Sequence, residues 1–263
     1  MHPLHINLAL LVSVALVGVE PFIESGGLAV IEAESVSPVG SWTLETYVPG
    51  FTGTGFLEWK RGNASSGTDG GGSGVLSYPL RIATPGRYRL QLRAHTPGPT
   101  GDHNDVWVRT TTVQLMYKSN GTFTPINGWT KCFIYGTVGA WTWSSATVDH
   151  TSNPLYVDIA AAGDHVIELS GRSTQYRIDR FVLYTGAVSE AVATNPATPA
   201  SPRADGGLTG DADGNGVVDG RDLDLVRAAF GRRAADGLSP GVDLNGDGRV
   251  DANDMREVVS QQP

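Results

Sequence analysis

The stretch Asp211-Ala-Asp213-Gly-Asn215-Gly216-Val217-Val218-Asp219-Gly-Arg-Asp222 recurs 32 positions later as Asp243-Leu-Asn245-Gly-Asp247-Gly248-Arg249-Val250-Asp251-Ala-Asn-Asp254. In each copy, side-chain oxygens fall at the first, third, fifth and ninth positions. A backbone carbonyl is available at the seventh, from Val217 or Arg249. Gly216 or Gly248 stands at the sixth, where the chain must turn sharply around an ion. An all-oxygen donor set selects a hard cation, and this spacing points to Ca²⁺. The twelfth residue is Asp222 or Asp254 in place of the bidentate Glu of the ordinary EF-hand, so each following helix must carry a shorter carboxylate to the metal.

After each loop comes a short apolar-patterned helix, Asp222 to Phe230 with Gly231 as its stop and Asp254 to Val259. Leu223, Val226 and Phe230 facing Met255, Val258 and Val259 form only a miniature core, so the metal is expected to supply much of the folding energy. Duplication, Asp at the twelfth position and the absence of an entering helix make the segment from Gly210 to about Val259 resemble the type I dockerin. That resemblance implies a cohesin-type partner, recognised at the tenth and eleventh loop positions. Here these are Gly220 with Arg221 and Ala252 with Asn253, where Ser-Thr pairs stand in the best-known dockerins. The alternative is a calcium-stabilised terminal tag or spacer with no cohesin partner.

The formal charge of −8 is placed unevenly, because residues 210–263 hold eleven acids against six arginines. Most of the acidity is therefore ligand, and no basic patch supports a nucleic-acid partner. Ile6 to Val19 is apolar over a length that suits a signal-peptide core and is short for a bilayer span. Residues 1–24 are thus read as a signal peptide and the protein as secreted, with no membrane span; a buried strand is the other reading. Export also fits weak all-oxygen sites, which fill in millimolar extracellular calcium. The single cysteine, Cys132, excludes an internal disulfide and a thiolate metal site, and reads as a small buried hydrophobe. No zinc-protease, nucleophile-elbow or phosphate-loop motif appears.

Between the leader and Gly186 the chain alternates apolar and polar residues in strand period. The runs are Arg87 to Ala94, Asp105 to Arg109, Val113 to Tyr117, Leu155 to Ile159, His165 to Leu169 and Tyr176 to Tyr184. Pro85-Gly86, Pro97-Gly98-Pro99 and the Gly-rich run at 70–74 punctuate them, and no window supports a long amphipathic helix. The expected architecture is mainly β, an antiparallel β-sandwich (jelly roll) over residues 25–186, joined to a small α-helical duplicated calcium-loop module over 210–263. Residues 187–209, rich in Ala, Thr and Pro, read as a semi-extended linker.

Ile31-Glu32-Ala33-Glu34, Tyr78-Pro79-Leu80 with Thr84-Pro85-Gly86-Arg87-Tyr88, and Ile178-Asp179-Arg180-Phe181-Val182-Leu183-Tyr184 resemble the carbohydrate-binding modules of families 6 and 35. These modules have a galactose-binding-like jelly roll. Glu32 and Glu34, two apart on a strand, share a face, where their charges repel unless a cation lies between them. The resemblance implies one structural Ca²⁺ held by Glu32, Glu34 and Asp179 of the last strand, besides two ions in the repeat. A solvated acidic edge is the plain alternative. A glycosidase acid and nucleophile is a third reading, poorly matched by neighbours on one strand.

Sugar recognition needs flat aromatic faces and fixed polar groups at an exposed end of a sandwich. Trp141 and Trp143 lie in a segment dense in Gly and Ser, Arg172 and Tyr176 just precede the last strand, and His103 and Asn104 lie in a polar loop. Those six are the candidate carbohydrate contacts; Trp42, Trp59 and Trp107, in strand-like runs, are expected in the packing. The segment Lys118 to Ser145 is longer than in the resembled modules and leaves the sugar open. Asn63-Ala-Ser65 and Asn120-Gly-Thr122 match glycosylation acceptors, which matter only in a secreted eukaryotic protein. Taken together, the sequence reads as a secreted, non-catalytic polysaccharide-binding module joined to a dockerin-like calcium module. The alternatives are a structural or adhesive exoprotein without sugar binding, or a small glycan-active enzyme.

Overall fold

The computed structural model describes residues 20–61, 71–97, 103–135, 138–143, 145–147, 151–204, 210–213, 218–233, 242–244 and 247–261. The leader residues 1–19, Asn63, and the loop residues Asn215, Val217 and Asn245 lie outside them. No described helix is long and apolar enough to cross a membrane.

Residues 20–186 form two packed sheets. One runs in the order β1 (Phe22–Ile23), β5 (Leu76–Ile82), β13 (Gly163–Gly171), β7 (Asp105–Thr110), β10 (Thr130–Ile134), β11 (Ser145–Ala146). The other runs β3 (Trp42–Glu45), β4 (Phe56–Trp59), β14 (Arg177–Tyr184), β6 (Gly86–His95), β12 (Leu155–Ile159), β8 (Gln114–Ser119), β9 (Thr122–Ile126), with β2 (Leu28–Glu32) also on β14. All pairings are antiparallel except β1 with β5. Alternation sets the faces: in β6, Tyr88, Leu90, Leu92 and Ala94 enter the core between the sheets, while Arg89, Gln91, Arg93 and His95 point the other way. Gly171 is required by close approach, since a Cβ there would collide with the Trp59 indole. Trp42 and Trp59 are core residues, with ring centroids 5.3 Å apart.

The strand period at 87–94, 105–109, 155–159, 165–169 and 176–184 corresponds to β6, β7, β12, β13 and β14. The strand-like runs at Trp42 and Trp59 correspond to β3 and β4, whereas β9 and β10 were not legible, because Thr-Phe-Thr-Pro-Ile and Thr-Lys-Cys-Phe-Ile are brief runs beside Asn-Gly turns. Cys132 is fully buried in β10, and burial pushes its thiol up to about 12, which fits the inert reading.

Residues 187–204, the described part of the segment expected as a semi-extended linker, are laid along the sandwich. A short helix α1 (Glu190–Ala193) is capped by Ser189, and Ala193 is buried with Val30, Val182 and Tyr184. Beyond it, Ser201 N bonds the Val30 carbonyl at 2.8 Å and Ile23 N bonds the Pro202 carbonyl at 2.8 Å. Arg203 donates to the carbonyls of Glu20 and Ser35, with its guanidinium 4.0 Å from the Phe22 ring centroid. The physical reason is the prolines: they hold this stretch extended with few donors to satisfy, so exposed strand groups can take it on at small entropic loss.

The C-terminal repeat carries helices α2 (Gly220–Ala229) and α3 (Ala252–Gln261). Its buried residues are small: Ala212, Val218, Val226, Ala229, Val242, Val250 and Val258, flanked by Leu223, Leu225, Leu244 and Met255. Phe230 and Val259, expected in this core, are 53% and 55% exposed. Phe230 leaves the helix at its C-cap, with φ −55° and ψ 131°, which turns its side chain outward. Val218 and Val250, each at the eighth loop position, take the vacated role, and Val250 pairs with the chain leaving α2 through Gly231 N to Val250 O at 2.8 Å.

Candidate functional site

In both copies of the repeat the twelfth-position carboxylate is fully buried and spans its loop. Asp222 accepts from Asp213 N at 3.0 Å and Asp219 N at 2.7 Å; Asp254 accepts from Leu244 N and Asp251 N, each at 2.8 Å. Asp219 also caps α2 by accepting from Arg221 N at 2.8 Å, and Asp251 does the same for α3 through Asn253 N at 2.7 Å. Asp243 accepts from Asp247 N at 3.1 Å and Gly248 N at 2.9 Å, and Asp247 from Arg249 N at 2.9 Å. In the first copy, one carboxylate oxygen from each of Asp211, Asp213 and Asp222 lies within 4.8 Å of the others. Burial, then the charges of Asp211 and Asp219, push the Asp222 carboxyl up. Acids packed this closely form a site whose charge a divalent cation would balance, and the donors are the hard oxygens Ca²⁺ prefers. Asp211, Asp213, Asp222, Asp243, Asp254 and the caps Asp219 and Asp251 therefore fit calcium.

On the sandwich, Glu32 ends β2, but Glu34 is not on the strand: it sits in a single 3₁₀ turn, Ala33–Ser35. The two carboxylates still meet, because the loop between β3 and β4 folds over both. Thr52 Oγ1 donates to Glu32 Oε2 at 2.7 Å and contacts Asp179 Oδ2 at 3.0 Å, while Thr52 N donates to Asp179 Oδ1 at 2.7 Å. Glu34 Oε1 accepts from Thr54 N at 2.8 Å. Gly53 has φ +64°, and a Cβ there would strike Glu34 Oε1, so only glycine lets the loop close over the acids. Glu32 is paired with Arg180 and Asp179 with Arg93. Glu34 is buried, and among the described residues it has no ion pair and its Oε2 has no hydrogen-bond partner. Burial first, and the charge of Glu32 second, hold its carboxyl well above the usual range; burial also raises that of Asp179. Three carboxylates face two guanidiniums, with one buried oxygen orphaned. That fits one cation held by Glu32, Glu34 and Asp179.

The same end of the sandwich gathers aromatic rings on the outer side of the second sheet. Trp141, half-buried, donates from Nε1 to the Pro49 carbonyl at 3.0 Å, and its ring lies 5.3 Å from both Phe56 and His95. Tyr47, 55% exposed, stands edge-on to Phe56 at 5.6 Å. Its hydroxyl donates to the buried Glu58, which is also paired with Lys60 at 3.0 Å and Arg177 at 3.5 Å. Arg177 Nη1 meets His95 Nδ1 at 3.0 Å, and burial, then the Arg177 charge, lower the His95 pKa. Sequence reasoning missed Tyr47; the available signal was an aromatic just ahead of the turn Val48-Pro-Gly-Phe-Thr-Gly-Thr-Gly55.

Other expected sugar contacts lie elsewhere. Tyr176 is 0% exposed, a core residue whose hydroxyl has no hydrogen-bond partner among the described residues, because it enters between the sheets just before β14. Trp143 packs against the Val30, Val182 and Tyr184 patch beside α1, away from Trp141's neighbours. Arg172 is ion-paired to Asp105 and stacked near Trp107, His103 Nδ1 contacts the Thr174 carbonyl at 2.7 Å, and Asn104 donates to the Ile134 carbonyl at 2.9 Å. These three tie loops to one another. Of the partner-binding pairs, Arg221, Ala252 and Asn253 are exposed at the starts of α2 and α3, and Gly220 opens α2.

Among solved structures, the chain is similar to the Podospora anserina GH26-CBM35 beta-(1,4)-mannanase at 16% identity and TM-score 0.38, covering 80% of this chain and 36% of that one. It is similar to the CBM35 from Cellvibrio japonicus Abf62 at 19% identity and TM-score 0.38, with 60% and 93% covered. It is similar to a family 35 carbohydrate binding module from Clostridium thermocellum at 16% identity and TM-score 0.38, with 60% and 98% covered. No curated protein matches. Residues 209–261, which hold both calcium loops, match the family model of the dockerin type I domain.

Proposed function

We propose that the protein is a secreted, non-catalytic polysaccharide-binding module that docks through a calcium-dependent repeat to a cohesin-type partner. The observation that carries the sugar reading is the Tyr47, Phe56 and Trp141 cluster at the loop end of the sandwich. Tyr47 and Trp141 offer ring surface to solvent over the buried Phe56, Lys60 stands beside them, and the buried Glu58, Arg177 and His95 fix the cluster from beneath. Ring faces cover the apolar C–H faces of a sugar, and Lys60, held by Glu58 at 3.0 Å, is placed to meet its hydroxyls. The repeat supports docking through its matched family and its exposed helix starts.

The sandwich cation reading assigns Glu32, Glu34 and Asp179 to a staple that ties β2 and the β3–β4 loop to β14, on the strength of the orphaned Glu34 oxygen. In the repeat, Asp211, Asp213, Asn215, Asp219 and Asp222 with the Val217 carbonyl would hold one ion. Asp243, Asn245, Asp247, Asp251 and Asp254 with the Arg249 carbonyl would hold the other. Bound calcium would supply charge balance there. A glycosidase role for Glu32 and Glu34 is disfavoured by geometry, since Glu32 is clamped by Arg180 and Glu34 is covered by Thr54 and Gly55.

The test is isothermal titration of the full chain with soluble xylans, mannans and uronate-rich polysaccharides, in calcium. Saturable binding to one class without release of reducing sugar supports the reading. Binding to none, in a folded protein, favours a structural or adhesive exoprotein, and turnover lost on Glu32→Gln would revive the enzyme.

A further inference from the structure

The loop between β3 and β4 is gripped by the acid cluster at one end and by the ring cluster at the other. Thr52 N donates to Asp179 Oδ1 at 2.7 Å and Thr54 N to Glu34 Oε1 at 2.8 Å, which fastens the far end to the acids. At the near end the Pro49 carbonyl accepts from Trp141 Nε1 at 3.0 Å. Gly50, at φ +90°, lies against the same ring, where a Cβ would stand 3.4 Å from Trp141 Cδ1. One side chain joins the two ends. Arg93 leaves β6 on the outer side of the second sheet and is buried; its Nη1 pairs with Asp179, its Nη2 donates to the Gly50 carbonyl at 2.9 Å, and its guanidinium lies 5.4 Å from the Trp141 ring centroid. Asp179 meets Arg93 because the register of β14 on β6 shifts between Ile178 and Arg180, a bulge that re-aims the intervening side chain.

We infer that Arg93 is a positioning residue for the ring platform, and that a cation on Glu32, Glu34 and Asp179 and a glycan on Trp141 strengthen each other's binding through Arg93 and residues 49–55. The sign follows from charge. Glu32, Glu34 and Asp179 face only the guanidiniums of Arg93 and Arg180 among the described residues. The uncompensated, buried Glu34 carboxylate therefore favours opening of the loop that covers it, and a cation removes that bias. A closed loop holds Gly50 and Pro49 against Trp141. Glycan should bind about tenfold tighter with the cation than without, and by linkage the cation gains the same factor from the glycan. This coupling rests on the sugar and cation readings above, but its link to Trp141 is measurable without a glycan.

Fluorine NMR of the full chain carrying fluorotryptophan tests it, with the Trp141 resonance identified by its loss in Trp141→Phe and the other Trp resonances reporting the fold. Adding calcium to the wild type should move the Trp141 resonance. In Glu34→Gln two acids face two guanidiniums, so the resonance should hold the calcium-loaded position with or without calcium. Arg93→Lys keeps a charge beside Asp179 but loses the second bond, to Gly50, so its Trp141 resonance should not follow calcium. Affinity for the polysaccharide bound by the wild type should run in parallel: about tenfold weaker in chelator for the wild type, indifferent to chelator in Glu34→Gln, and weak throughout in Arg93→Lys. An equal loss on chelation in Glu34→Gln places the effect in the repeat and overturns the coupling. A Trp141 resonance that ignores calcium also overturns it, and if sandwich melting ignores calcium as well, the cation reading falls with it. Arg93→Lys with the wild-type calcium response removes Arg93 from the role. A wild type that binds no glycan defeats the sugar reading, and the link from the acids to Trp141 then stands or falls on the resonance.

Discussion

Replacing Glu34 by Gln should have opposite effects with and without calcium. In metal-free protein, the Glu34 carboxylate is buried, keeps one oxygen without a partner among the described residues, and lies against the charges of Glu32 and Asp179. Gln keeps the acceptor for Thr54 N and Gly55 N, removes the charge, and puts a donor where the orphaned oxygen stood. Relief of a buried unsatisfied charged group should stabilise the sandwich by about 1–3 kcal/mol, at about 2–4 °C per kcal/mol for a domain of this size. With calcium the order should reverse, because the wild type gains about 2.7 kcal/mol at a hundredfold excess over its dissociation constant and the variant loses a ligand. The pH dependence follows from the same group. A carboxyl whose folded pKa is raised binds more protons in the folded state, so metal-free stability should be full below about pH 4.5 and fall as pH rises through the folded value. Glu34→Gln should flatten that slope. All six Trp lie outside the repeat, so Trp fluorescence melting reports the sandwich alone. A variant less stable than wild type in chelator, or one with the wild-type pH slope, would refute the reasoning.

Tyr176→Phe should leave melting unchanged or slightly raised, since the hydroxyl is buried without a hydrogen-bond partner among the described residues, while Tyr176→Ala should cost about 3–5 kcal/mol through the cavity it leaves. Asp211→Ala and Asp243→Ala should each weaken one of two calcium-binding events in a calorimetric titration of the full chain; unchanged stoichiometry and affinity would count against the repeat sites. Far-UV circular dichroism should lose helical signal on adding chelator, because the fully buried core among the repeat's described residues is built of Ala and Val and needs the ions to fold; a signal indifferent to chelator would oppose this. Tyr47→Ala should reduce polysaccharide affinity about tenfold while leaving melting nearly unchanged, as its ring is mostly outside the core.

What the sequence revealed and what it hid divide along physical lines. Long alternating runs such as Arg87 to Ala94 were legible because period 2 persists for a whole strand, and the calcium loops because ligand chemistry fixes residue types at fixed offsets. Glu32, Glu34 and Asp179 were drawn together by resemblance, yet the loop that joins them, Thr52 to Gly55, was not foreseen, since its work is done by backbone amides and one small hydroxyl. Tyr176 and Tyr47 exchanged places for a related reason: exposure depends on which sheet face a ring meets, and one residue of register at a strand start reverses it. Phe230 misled because helix-face patterning ignores a cap that turns the chain out, and Val259 because its neighbour Val258 takes the buried face of α3, whereas Val218 and Val250 hid inside motifs read only for their oxygens.

Affinity electrophoresis in gels containing the polysaccharide bound by the wild type tests the central claim most directly, with the full chain and Trp141→Ala run side by side in calcium and melting profiles taken in parallel. The account predicts strong retardation of the wild type and mobility near that of a polysaccharide-free gel for Trp141→Ala, with both proteins folded. Equal retardation of a folded Trp141→Ala would contradict the placement of the sugar site at the Tyr47, Phe56 and Trp141 cluster.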